Sequence, residues 1–285
     1  MTSFRAACVQ MCSGRKVSDN LKEAEALVRA AAGQGAHYVL TPEMTTIMEL
    51  DRASMQDEVT AETDHEVLAT FSGLARDLKI ALHVGSVAVR LDDGHLANRA
   101  YLFGTDGRLQ ASYDKLHMFD VDLAGGESYR ESASYQAGQD AVLADLPWGR
   151  LGFSICYDVR FPHLYRTYAK AGSDFVAIPA AFTEQTGRAH WHVLLRARAI
   201  ETGCFVFSAA QSGAHDDGRR TYGHSMIIDP WGAILAEAED GPGFITAEID
   251  PQLTEKARSR IPALSHDRHF SIQMAGLADD AEAAS

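Results

Sequence analysis

Apolar positions along the chain fall into two rhythms, short continuous runs and longer stretches with helical spacing. Phe4 to Met11 reads as a first buried strand. Ser18-Asp19-Asn20 offers N-cap chemistry for a helix with Leu21, Ala24, Leu27, Val28 and Ala31 on one face, stopped by Gly33 and Gly35. His37 to Leu40 is a second strand and ends in Thr41-Pro42-Glu43. Asp64 opens a second helix over Val67, Leu68, Phe71, Leu74, Ala75 and Leu78, followed by a strand from Ile80 to Val89. Hairpin signals come next: Asp92-Asp93-Gly94, Thr105-Asp106-Gly107, Pro147-Trp148-Gly149 and Pro230-Trp231-Gly232 each lie between strand-like runs, with Gly free to take positive φ. Further on, Asp174 to Ile178 reads as a strand, and Arg188 to Thr202 as a helix ended by Gly203. Cys204 to Ala210, Ser225 to Ile228, Ala233 to Glu237 and Gly243 to Ile249 continue as strands, and Pro251 to Arg260 as a last helix.

This order mixes parallel strand–helix units with antiparallel hairpins. A dozen or so strands exceed what one open sheet holds, so two sheets packed face to face with helices outside are expected. No Pro/Ser-rich or charged linker interrupts the alternation, which predicts a single domain over residues 1–272. The Ala/Asp/Glu-rich end, Ala275 to Ser285, lacks periodicity, so residues 273–285 are expected to be a flexible tail.

One stretch breaks its own pattern. Leu151 to Ile155 is an apolar run suited to a sheet covered on both faces, and at Cys156 it stops. Tyr157 and Asp158 follow, and Phe161-Pro162 opens a helical pattern over Leu164, Tyr165, Tyr168 and Ala169. Pro162 suits a first helical turn, where a missing N–H costs nothing. A cysteine on such an elbow lies near unpaired N–H groups and the positive end of a helix dipole, an environment that favours thiolate and can hold an oxyanion. Cys156 is therefore a candidate nucleophile; the alternative is a small buried hydrophobe, as expected of Cys8, Cys12 and Cys204.

A thiol nucleophile needs a base and an oxyanion stabiliser. Glu43, after Tyr38-Val39-Leu40, and Lys115, after Leu109 to Tyr113, sit at strand ends where such groups belong. Each alone would read as a solvated strand-end charge.

Composition narrows the partners. The 285 residues hold 46% hydrophobic and 23% charged residues with a net charge of −13, which suits a globular protein and argues against nucleic acid. Four cysteines without framework spacing, no apolar leader at the N-terminus and no membrane-length run predict a cytoplasmic protein that does not enter a membrane. His190-Trp191-His192 and His266-Asp267-Arg268-His269 lack an evident third ligand, so no metal is expected. Gly241-Pro242-Gly243 does not extend to a dinucleotide fingerprint, and there is neither a P-loop nor a Gly-x-Ser-x-Gly elbow, so no cofactor is expected either.

Pro42-Glu43-Met44, Tyr113-Asp114-Lys115-Leu116-His117 and Cys156-Tyr157-Asp158-Val159-Arg160-Phe161-Pro162 occur in the order found in the nitrilase superfamily, the carbon–nitrogen hydrolases, which the chain resembles from about Phe4 to Phe270. Thr186 to Trp191, Arg196 to Glu201 and Tyr222 to Ser225 extend the resemblance, and Arg188 departs from it where a proline is expected. The resemblance implies an α/β fold, a four-layer α-β-β-α sandwich, that dimerises or assembles further. It also implies a catalytic Glu43, Lys115 and Cys156, with a second glutamate at Glu131, Glu127 being the neighbouring alternative.

Tyr157-Asp158 after the cysteine looks like the Nit-type amidases rather than true nitrilases, and the flanking segments look closest to the deaminated glutathione amidases. The implied reaction is cofactor-free hydrolysis of a terminal carboxamide on a small anionic substrate through a thioester, giving acid and ammonia, with deaminated glutathione the expected substrate. Omega-amidase action on alpha-ketoglutaramate or succinamate, N-carbamoyl amino acid hydrolysis, and a catalytically silent binding or scaffold protein are the alternatives. Arg160 is the candidate for a substrate carboxylate, or else a helix-start arginine paired with Asp158; Tyr157, Phe182 and Thr183 are candidate pocket residues.

Overall fold

Strand β1 (Phe4–Gln10) shows how the layers are built, because its alternate residues join different cores. Ala6 and Cys8 face a central core, while Ala7 and Val9 face a second core under two helices. The same division runs through β2 (Tyr38–Leu40), β3 (Ala81–Arg90) and β4 (Leu96–Phe103), while β5 (Leu109–Asp114) gives Tyr113 to the central core alone. These strands, with β16 (Gly243–Ile249), form a six-stranded sheet in the order β16-β1-β2-β3-β4-β5. Short hairpins β6–β7 (Asp120–Asp122, Ser128–Arg130) and β12–β13 (Ser212–Ala214, Arg220–Tyr222) stand apart from it. The second six-stranded sheet takes β8 (Leu143–Leu146), β9 (Gly149–Phe153), β10 (Phe175–Ala177), β11 (Phe205–Ser208), β14 (Met226–Ile228) and β15 (Ile234–Glu237) in the order β15-β14-β11-β10-β9-β8. Each sheet has a parallel centre flanked by antiparallel strands, as the mixed signals predict.

Helices α1 (Val17–Gly33) and α2 (Glu66–Leu78) cover the first sheet; α3 (Pro162–Lys170) and α4 (Glu184–Thr202) pack together, with α4 against the second, and α5 (Gln252–Arg260) follows β16. The result is the four-layer α-β-β-α sandwich. The computed structural model describes residues 2–51, 54–55, 58–61, 66–123 and 126–275. Asp64, the expected start of α2, and most of the expected tail lie outside these.

All four hairpin signals turn between paired strands. Two helix starts differ from expectation. Ser18-Asp19-Asn20 lies inside α1, whose N-cap is Lys16 without a side-chain bond. Asn20 instead ties Gly14 and Thr46 through bonds of 2.7 and 2.8 Å, so its polar group serves a loop contact distant in sequence. Helix α4 begins four residues before Arg188, because its polar first turn carries no apolar period and Thr183 caps it. Arg188 is helical and pairs with Glu184 at 2.7 Å, so the position where proline was expected shapes a helix rather than a loop.

Aromatic rings fill the space between the sheets. Phe4 stacks on Trp148 at 4.2 Å and meets Phe175 edge-on at 5.5 Å. His83 is fully buried here, 4.6 Å from the Phe153 ring, with Nδ1 bonded to the Tyr38 hydroxyl at 2.9 Å and Nε2 without a hydrogen-bond partner among the described residues. Burial pushes its pKa from 6.5 down to about 3, so the folded protein keeps it neutral. The unfolded chain takes up this proton first. The stability present above pH 6.5 is therefore lost as pH falls toward about 3. In urea unfolding across that window, the free energy should fall more steeply than in His83→Gln by up to about 1.4 kcal/mol per pH unit. Identical slopes for the two proteins would refute a neutral His83.

Candidate active site

Two strand ends of the first sheet, the turn after β7 and one turn after a strand of the second sheet meet at a cavity of about 390 Å³. Glu43 follows β2 in a loop fixed against a bulge in β3 between Val84 and Val87. Gly85 has no room for a side chain there: a Cβ would lie 2.0 Å from the Thr41 carbonyl oxygen and 2.6 Å from that of Pro42. The Met44 N–H donates to the Ser86 hydroxyl at 2.9 Å, and the Gln211 amide donates to the Glu43 and Met44 carbonyls at 3.0 and 3.1 Å.

Lys115 is the first residue past β5, held by its N–H to the Asn98 carbonyl at 3.0 Å. Its ammonium donates to Glu43 Oε1 at 2.9 Å and to both Glu131 oxygens at 2.9 and 2.8 Å. Glu131 opens a 3₁₀ turn after β7 and also accepts the Phe119 N–H at 2.7 Å. Glu127, the alternative, is exposed, and its carboxylate holds the Tyr129 hydroxyl at 3.2 Å and no active-site group among the described residues. Asn98 was not read from the sequence. Its amide donates to Glu43 at 2.9 Å and to Glu131 at 3.3 Å, bridging the two carboxylates, while its Oδ1 is buried without a partner. A lone uncharged polar residue inside the apolar strand Leu96 to Phe103 was the available signal.

Cys156 begins a 3₁₀ turn, Cys156 to Arg160, between β9 and α3. Its φ of 50° is left-handed, a conformation that costs a non-glycine residue about 1–3 kcal/mol. The surroundings impose it. The Cys156 N–H donates to the Pro179 carbonyl at 2.8 Å, and the fully buried Asp158 accepts from the Ile155 N–H at 2.8 Å and the Tyr113 hydroxyl at 2.7 Å. Asp158 also holds His117, through its N–H at 3.1 Å and Nδ1 at 2.7 Å. It therefore ties the lysine segment to the cysteine turn and is not paired with Arg160.

The thiol lies beside the Glu43 carboxylate, which accepts the Ala181 N–H at 2.7 Å on the oxygen that Lys115 does not hold. Burial drives the Cys156 pKa up, the Glu43 charge drives it further, and Lys115 offsets only a fraction, so the group rests as a thiol well above its ordinary range. The expected resting thiolate is thus corrected: the turn is short and the neighbouring carboxylate outweighs its dipole. Burial also pushes the Glu43 carboxyl up, but the Lys115 ammonium and the surrounding donors reverse this and hold it below normal. Burial works against the Lys115 ammonium, and Glu131 and Glu43 more than restore it. The resting site is a thiol beside a carboxylate, the arrangement of a nucleophile with its base.

Of the expected pocket residues, Tyr157, Phe182 and Thr183 line the cavity. Thr183 also caps α4, accepting the Thr186 N–H at 3.4 Å. Arg160 is not among the lining residues; its guanidinium lies 5.2 Å over the Phe182 ring and 3.3 Å from His190 Nδ1. Arg130, Arg219 and Arg220 line the cavity instead and were missed, being scattered over loops and a hairpin. The third group that His192 lacked in sequence comes from elsewhere: His192 Nε2 and His224 Nδ1 both bond Glu237 Oε1, at 2.9 and 2.7 Å.

A sequence profile described as carbon-nitrogen hydrolase matches residues 5–259. The deaminated glutathione amidase of Synechocystis is 41% identical over 270 residues, 93% of this chain and 98% of that protein. The crystal structure of the Caenorhabditis elegans NitFhit protein superposes with a TM-score of 0.88 at 38% identity, over 93% of this chain and 65% of that longer one. A mutant amidase from Nesterenkonia, seen with acrylamide added at its active-site cysteine, superposes with a TM-score of 0.76 at 25% identity, over 91% of this chain and 98% of that one.

Lys115 is the counter-charge for two buried carboxylates. Lys115→Met should lower the free energy of urea unfolding by about 3–5 kcal/mol, because it leaves Glu43 and Glu131 facing each other uncompensated. Equal midpoints for the variant and the parent would overturn that account.

Proposed function

The chain belongs to the carbon–nitrogen hydrolase family and is an amidase, and from that premise we propose that it hydrolyses deaminated glutathione through a thioester on Cys156. The observation that carries the catalytic assignment is the buried Lys115 ammonium held at 2.9 Å from Glu43, in one cavity with the Cys156 thiol.

Glu43 takes the Cys156 proton as the sulfur attacks the amide carbon. The oxyanion that forms is held by the Lys115 ammonium and the Tyr157 N–H, in a site closed enough for both to act strongly. When the intermediate collapses, the C–N bond breaks and the proton on Glu43 passes to the departing nitrogen. Glu43 then draws a proton from water, whose oxygen attacks the thioester; the acid leaves and the thiol is restored. Glu131 keeps Lys115 in place, and Asn98 keeps the two glutamates in register. Tyr157, Phe182 and Thr183 form walls of the pocket, and Arg160 backs the Phe182 wall from outside the lining.

The leaving group follows from the substrate. Glutathione is a γ-linked tripeptide, and loss of its amino group leaves two secondary amides and no carboxamide. Cleavage at the γ-carbonyl therefore releases a peptide amine, and ammonia release belongs to the short-acid alternative. The two alternatives share one acyl group: deaminated glutathione and alpha-ketoglutaramate would give the same thioester.

Four free cysteines support a cytoplasmic setting, and the −13 charge speaks against nucleic acid. No helix among the described residues is long and apolar enough to cross a membrane. Val193 and Ile200, one face of α4, are 68% and 56% exposed, and Trp231 and Ile261 join Ile200 around one surface cleft. This apolar face supports pairing with a second copy. Sedimentation at micromolar concentration should give a dimer or larger species; a monomer would exclude it.

The activity test measures both products. Incubation with deaminated glutathione should yield a new primary amine, and alpha-ketoglutaramate should yield ammonia more slowly. Cys156→Ala should abolish both, and Glu43→Gln should lower kcat by about 10²–10⁴-fold with the fold intact. Amine release by Cys156→Ala at the parent rate would defeat the nucleophile assignment. Ammonia without amine would move the enzyme to the omega-amidase reading, and carbon dioxide from an N-carbamoyl amino acid to the carbamoyl one.

A further inference from the structure

The three arginines at the cavity differ in what they already hold. Arg130 gives Nη2 to both Asp122 oxygens at 2.7 and 2.9 Å, and Nη1 to the Val121 and Tyr129 carbonyls at 3.0 and 2.7 Å. Arg220 gives Nε to Glu184 at 2.6 Å and points largely into solvent, with 63% of its side chain exposed. Arg219 is different. Its Nε and backbone N–H fix it to the buried Asp217 at 2.6 and 2.9 Å, and neither terminal nitrogen has a hydrogen-bond partner among the described residues. Nη2 is moreover buried, a position in which a cationic N–H normally finds an acceptor.

Its location gives this unfilled fork a meaning. Cys156 lines the catalytic cavity alone, whereas Arg219 lines that cavity and also an adjoining cleft of about 540 Å³. Leu50, Ser128 and Tyr129 are shared between the two spaces in the same way. Arg219 thus stands where the first space opens into the second.

We propose that Arg219 binds a carboxylate on the leaving-group side of the scissile amide, so that the enzyme prefers amides whose amine portion is a small peptide ending in a free carboxylate. This rests on the hydrolysis of deaminated glutathione proposed above, and assigns its distal carboxylate to Arg219. A guanidinium fork matches a carboxylate through two parallel N–H bonds, and Asp217 holds the fork in orientation by the edge the ligand does not use. In a chain of net charge −13, a dianionic substrate needs such a local trap.

The test compares kcat/KM for deaminated glutathione with that for alpha-ketoglutaramate, which has the same acyl group and no carboxylate beyond the amide. Arg219→Met should lower the ratio of the two values by about 10- to 100-fold, mainly through KM for the longer substrate. Arg219→Lys, which keeps the charge but not the fork, should fall in between and serves where Arg219→Met does not fold. The methyl ester of the distal carboxylate should be a correspondingly poorer substrate for the parent enzyme, and Arg219→Met should lose nothing further on it. A ratio unchanged by either variant, or losses on the ester that simply multiply, would overturn the assignment to Arg219 while leaving the substrate reading intact. A parent enzyme that releases no amine from deaminated glutathione would overturn both.

Discussion

The site depends on one buried cation. Lys115 has 2% of its side chain exposed, and an ammonium so far from water survives only with acceptors on several sides. Glu43 and Glu131 supply them, and they come from separate segments of the chain: the loop after β2 and the turn after β7. Charge balance then spreads outward. Burial raises the Cys156 pKa first, and the Glu43 charge raises it further against the Lys115 ammonium, so the sulfur rests protonated. The same arrangement that folds the site sets its resting protonation.

The second constraint is conformational. Cys156 occupies a left-handed backbone conformation, and a buried aspartate two residues later stabilises the turn by accepting from Ile155, Tyr113 and His117. Strain at a nucleophile persists only where neighbouring contacts over-determine it. Here the overdetermining contacts reach the lysine segment, so the position of the sulfur and that of the ammonium are not independent. A change at Asp158 is felt at both.

What the sequence disclosed divides along this line between local and distant contacts. Hairpins turned on Asp-Gly and Trp-Gly pairs, and the strand-to-helix elbow at Cys156, are local patterns and were legible. Glu43 and Lys115 were legible as strand-end charges, and their pairing with each other came only through resemblance to a family. Asn98 and Asp158 act across dozens of residues, and the polar break that Asn98 makes in its apolar strand does not name its partners. The cap of α1 failed for the same reason: Asn20 has the chemistry of a cap, and its partners Gly14 and Thr46 lie in loops that only the fold brings near. Arg160 shows the converse, since its place after the cysteine suggested a pocket residue and its guanidinium packs on the Phe182 ring outside the lining.

On the proposed reading, chemistry and selectivity reside in different regions of the structure. The groups that would meet the carbonyl sit at the ends of sheet strands or on the turn after β9, where the sandwich core fixes them. Arg219 sits in the connection of the small β12–β13 hairpin, outside either large sheet, with Asp217 as its anchor. Because deaminated glutathione and alpha-ketoglutaramate share an acyl group, everything up to the thioester carbon can be common to both, and only contacts beyond the nitrogen can separate them. On the proposed reading, the charged one of those contacts lies on the hairpin connection, so a change of leaving group would be made there while the buried lysine and its two carboxylates stay as they are.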